Sequence, residues 1–166
     1  MSPLIIQWLI FLHVLAAISF FLFHGASAAM AFKLRRERDF AHIRALLGLS
    51  ESTFAGMGIS FLVMGLTGLT LPFIIRIWDK GYIWASIVLM FGVVVHMALN
   101  SERRYKKLRR LVGLPYMMGS KSFPAEAPSS PAEVEALLQQ SGVVGLVMTG
   151  YVVPAIVLWL MIFKPF

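Results

Sequence analysis

Residues Trp8 to Arg38 read WLIFLHVLAAISFFLFHGASAAMAFKLRRER, and this stretch decides the fold. It opens with about two dozen apolar residues, enough to cross a bilayer at 1.5 Å per residue. It closes in a basic cluster that sets which way it crosses. Within it stand His13 and His24, eleven positions apart. At 100° per residue that spacing is roughly 20° past three full turns, so both imidazoles share one helix face about 16 Å apart. Ala16, Ala17, Ser27 and Ala28 fall on the same side, and Phe11, Leu15, Ile18 and Leu22 on the other. Small and polar residues toward a bundle, with bulky ones toward lipid, is the pattern of a packed membrane helix.

Working outward, the composition agrees. Of 166 residues, 58% are hydrophobic and 14% charged, with a mean hydropathy of +0.78. A globular domain of this length has no interior large enough to hide that much apolar surface. The net charge of +7 does not point to nucleic acid, because the basic residues flank the apolar runs. That is the signature of membrane topology and of attraction to anionic lipid heads. With no cysteine, disulfides, thiolate metal sites, iron–sulfur clusters and cysteine nucleophiles are excluded, leaving His and Met as soft ligands. Residues 25–31, GASAAMA, resemble a signal-peptidase site. Yet no Lys or Arg precedes the apolar run and the charge lies on its far side, so the segment is expected to stay as a spanning helix.

Four spans are predicted, at about 3–32, 52–78, 82–100 and 142–163, making an all-α, integral membrane four-helix bundle. Between the first two lies a basic loop, 33–51, in which Ala41 to Leu49 is expected as a short amphipathic turn on the membrane surface. Ser50 and Ser52 offer N-caps for the second span, beside Glu51. The loop 101–141 begins as a basic surface helix, SERRYKKLRR, continues as a proline-punctuated polar stretch, and ends in a helix start capped by Ser130 with Pro131 in the first turn. Pro72 and Pro154 should bend their helices. Gly65 and Gly68 in the second span, Gly92 in the third, and Gly145 in a Ser141–Gly145–Thr149 series mark faces that another helix can approach closely.

Topology follows from charge. Lys33, Arg35, Arg36, Arg38, Arg44, Arg103, Arg104, Lys106, Lys107, Arg109, Arg110 and Lys121 lie in the two long loops, twelve positives against three (Arg76, Lys80, Lys164) on the other side. Both termini are therefore expected outside, in the periplasm, and both long loops in the cytoplasm of a bacterial inner membrane. Trp8, Trp78, Tyr82, Trp84 and Trp159 fall near the outer interface as an aromatic belt.

Several strings then carry a resemblance: HGASAAMAFKLRRERDFAHIRALLGLS, the Gly65-Leu66-Thr67-Gly68 region, YKKLRRLVGLP and the ending LWLMIFKPF. Together they resemble, over nearly the whole chain, a family of bacterial four-helix predicted integral membrane proteins of unknown function. That resemblance implies the fold and no activity. More distantly, FLHVLAA in the first span is similar to copper-resistance D-type membrane proteins and HemJ-type protoporphyrinogen oxidases. In the latter, a histidine at the place of His13 is tied to haem chemistry, but the Trp and Arg pattern that follows there is absent here.

For chemistry, no carboxylate lies inside a span, which disfavours a proton-driven carrier. No Ser-His-Asp or HExxH arrangement and no phosphate-binding glycine loop is present. Imidazole remains. His24 and His96 are expected about 13 Å and 9 Å from the cytoplasmic ends of their helices. At such depths they suit one b-type haem iron, with Arg35, Arg36 or Arg103 toward its propionates. His13 suits an outer haem, a Met partner, copper or a quinone carbonyl. Against this stands the plainer reading, in which each imidazole hydrogen-bonds a neighbouring helix and does nothing else. Two functions therefore stand open. One is a non-catalytic accessory subunit, held in the bilayer against other membrane subunits or further copies of itself. The other is a haem-binding electron-transfer or haem-handling protein, and copper or other metal handling through His13 and nearby Met trails both.

Overall fold

The computed structural model describes residues 2–118, 121–140 and 142–166, with the side chains of residues 101–103 outside that description. Six helices and one small hairpin follow in order: α1 (Pro3–Leu34), α2 (Phe40–Ile75), α3 (Gly81–Met97), α4 (Arg103–Leu111), β1 (Tyr116–Met118), β2 (Lys121–Phe123), α5 (Pro131–Gln139) and α6 (Val143–Phe163). A single π-helical turn, Ala98–Glu102, joins α3 to α4. Among the described residues, four helical stretches are long and apolar enough to span a membrane. The chain is a multi-pass, all-α membrane protein.

The spans pack as two pairs, α1 with α2 and α3 with α6, which meet along α1 and α6. On α1 the expected division holds. Ala16, His24 and Ala28 are buried, while Phe11, Leu15, Ile18 and Leu22 lie on the exposed, lipid-facing side. Polar residues buried along α2 and α3 return their hydroxyls to their own helix. Ser60 donates to the Gly56 carbonyl (2.8 Å), Thr67 to Val63 (2.7 Å) and Ser86 to Tyr82 (2.8 Å). No hydroxyl among these is left without a partner in hydrocarbon.

The aromatic end gathers as expected. The Trp78 and Trp84 rings lie 5.2 Å apart, Phe73 and Trp78 4.7 Å apart, and the Trp84 indole donates to the Trp78 carbonyl (3.0 Å). Tyr82, Ile83 and Leu160 form a buried cluster there between α3 and α6. Both helices that end on this side stop at a basic residue in the left-handed conformation, Arg76 (φ 54°) and Lys164 (φ 47°).

The basic end differs from the expectation. In place of a loop, a surface turn and a new helix start at Ser50 or Ser52, a single helix runs from Phe40 to Ile75. Its cap is Asp39, whose carboxylate accepts from the Ala41 amide at 2.7 Å. At 36 residues α2 is about 54 Å long, against roughly 30 Å of hydrocarbon, so its first third stands outside the bilayer. Burial extends it. Ile43 and Leu47 insert into an apolar core with Leu34, Leu108, Val112, Val134 and Leu138, and Arg44 donates to the Val112 carbonyl at 2.7 Å. The largest fully buried side chains among the described residues, Ile43, Leu47, Val112 and Val134, all belong to this extramembrane cap.

The stretch between α4 and α6 is likewise more than a polar loop. Tyr116 stacks on Phe123 across the hairpin, and Glu126 accepts from both the Tyr116 hydroxyl and Arg110. That pair of donors, the tyrosine first, holds the Glu126 carboxyl below its ordinary range. Ser130 caps α5 as its sequence indicates, accepting from the Glu133 amide. Arg38–Glu135 (2.7 Å) and Arg109–Glu51 (2.9 Å) tie the cap's pieces together at its surface.

Candidate functional site

The two histidines of α1 share a face but meet different neighbours. His13 turns to α2, where its Nδ1 lies 3.0 Å from both the Met64 carbonyl and the Thr67 hydroxyl. A carbonyl can only accept, and the Thr67 hydroxyl already donates to Val63, so Nδ1 carries the proton and donates to both. The ring lies over Gly68, where a Cβ would fall 2.8 Å from Cε1. His13 is thus the interhelical hydrogen bond that holds α1 to α2. Its contact with Met64 is through the backbone oxygen rather than the sulfur.

His24 turns to α6 and is 5% exposed, at the junction of the two helix pairs. Its ring stacks on Phe20 (6.1 Å, 2° between planes) and meets the edge of Tyr151 at 4.9 Å. Nε2 is buried without a hydrogen-bond partner and faces Gly150. A Cβ at Gly150 would overlap the imidazole and lie 2.7 Å from the Met97 methyl carbon.

Both imidazoles therefore sit on a glycine four residues before a proline, Gly68 before Pro72 and Gly150 before Pro154. Proline supplies no N–H, so in each helix the glycine carbonyl lacks its ladder donor. The missing side chain makes a notch that admits a ring. The Gly-x-x-x-Pro spacing is legible in the sequence, but which ring fills it is not.

The structure does not bring His24 and His96 together. His96 is exposed on α3, where its ring and carbonyl lie against the Asn100 amide (3.4 and 2.9 Å). The neighbouring Met97 turns inward toward His24 instead. Arg35 and Arg36 line a separate groove of about 800 Å³ with Arg38 and Gln139, and the Arg103 side chain lies outside the described residues. No group of three or more His, Asp or Glu side chains among the described residues is placed to hold a metal ion.

Beside His24 opens a cleft of about 90 Å³, walled by α1, α4, α5 and α6 and overwhelmingly apolar. His24 and Met97 lie at its inner end, and Arg35, Arg104 and Tyr105 stand toward the basic end of the molecule. Cofactor pockets span about 300–1,000 Å³. The cleft is too small for a porphyrin macrocycle, and the His24 Nε2 that would bind iron faces Gly150 of α6. The residues present do not fit the haem expected from His24 and His96.

The glycines divide sharply. Gly68, Gly56 and Gly150 are packed by His13, Phe23 and His24. At Gly65, Gly92 and Gly145 a Cβ would meet no atom within 4 Å, so those three serve no packing among the described residues. The third member of the α6 series, Ser141, lies outside the described residues. Comparison with models of known protein families, with curated proteins and with solved structures finds no match.

Proposed function

We propose that this chain is a non-catalytic subunit of a larger membrane assembly, docking neighbouring transmembrane helices on its own small-residue faces. The observation that supports this is the open space at Gly65 on α2, Gly92 on α3 and Gly145 on α6. Glycine costs a helix about 1 kcal/mol relative to alanine, and these three pack against nothing among the described residues. Against a second helix they permit close backbone approach, which drives association in lipid through van der Waals contact.

The orientation we propose has the basic cap in the cytoplasm and both termini in the periplasm of a bacterial inner membrane. The twelve-to-three division of Lys and Arg supports it, as does the aromatic cluster at the opposite end.

Gly65→Leu and Gly145→Leu test the reading directly. Each places a side chain in open space, so helical content and the thermal midpoint in detergent should hold or rise. Partner subunits should co-purify with the wild-type chain and be lost from both variants. If both variants run in a native gel at the wild-type mass, the proposal fails.

A further inference from the structure

The cleft beside His24 has features that the docking role does not use. Its wall is apolar along α1 and α6, from Ala28 and Ala31 to Val147, and no carboxylate is among its lining residues. Toward the basic end, Arg104 holds Nη1 buried with no hydrogen-bond partner, and Arg35 stands on the same lining. A buried guanidinium nitrogen left without an acceptor is costly, and the matching group is an anion with several oxygens. The cleft is about 90 Å³, room for part of one hydrocarbon chain rather than a whole ligand. It opens from the spans at the level where the basic residues begin, which is the headgroup level of a bilayer. Basic pockets between spanning helices at this level are suited to anionic lipid heads.

We infer that the cleft is a binding site for an anionic phospholipid of the surrounding bilayer. The phosphate engages Arg104 and Arg35, one acyl chain runs along Ala28, Ala31 and Val147, and His24 closes the inner end. The second acyl chain stays in the bilayer. The lipid would wedge the seam between α1 and α6 and tie the cap to the spans.

The test is titration of the full chain, purified in neutral detergent, with phosphatidylglycerol or phosphatidylcholine, followed by native mass spectrometry. Phosphatidylglycerol should bind at least tenfold more tightly. Arg104→Gln should lower that affinity roughly tenfold, the effect of one charge-assisted hydrogen bond. Lys107→Gln, which removes the same charge from an exposed position on α4, should change it less than twofold. Ala31→Phe, which fills the cleft, should abolish the preference; circular dichroism reports whether that variant folds, and Arg104→Gln stands independently if it does not. Equal binding of the two lipids, or equal loss in Arg104→Gln and Lys107→Gln, would overturn the site. Displacement of the lipid by millimolar inorganic phosphate would also overturn it, by assigning the arginines to a soluble anion.

Discussion

His13 and His24 sit on the same helix face in similar notches, yet their chemistry differs. The His13 proton is shared between a carbonyl and a hydroxyl of α2, whereas the His24 Nε2 has neither. Replacing a bonded ring by an apolar side chain strands its partners, while replacing an unbonded one removes a desolvated polar atom. His13→Leu should therefore lower stability by about 1–2 kcal/mol, the scale of a strong interhelical hydrogen bond in a membrane. His24→Leu should leave stability unchanged or raise it. Thermal unfolding in detergent, followed by circular dichroism, distinguishes the two, and equal losses would refute the assignment. Helical phase puts both histidines on the inward face of α1. Their separate partners were hidden, because that depends on which helix lies alongside, and nothing in residues 8–38 names α2 or α6.

Among the elements, the spans were legible and the cap was not. A run of twenty apolar residues has one stable form in lipid, so α1, α3 and α6 lie within a few residues of their expected bounds. The start of α2 departs from the expectation because Ser50 and Ser52 look like caps on an apolar run. What carries the helix past them is contact of Ile43 and Leu47 with Val112, Val134 and Leu138, some 65 to 95 residues away. Local spacing holds no record of such a contact. Leu47→Ala should cost about 2–5 kcal/mol in the cap, as for buried leucines elsewhere. Limited proteolysis should then cut within residues 35–39 and 124–130, which should resist in the wild-type chain, while the spans remain protected. Unchanged resistance would mean that the cap does not depend on this core.

For the whole molecule, the absence of cysteine makes orientation straightforward to measure. Ser2→Cys and Ser122→Cys place single thiols at the two ends of the bundle. With a membrane-impermeant maleimide on intact cells, Ser2→Cys should label at once and Ser122→Cys only after permeabilisation; the reverse pattern would invert the proposed topology. The α2 helix, unbroken from Phe40 to Ile75, gives that orientation a mechanical meaning. Its extramembrane third is a lever of roughly 20 Å, continuous with the span and clamped to the cap by Ile43, Arg44 and Leu47. Helices adjust to bilayer thickness by tilting. A change of about 10° in α2 would carry the lever's tip about 3.5 Å sideways, and the cap would travel with it, so bilayer thickness would be read out as a displacement on the cap side.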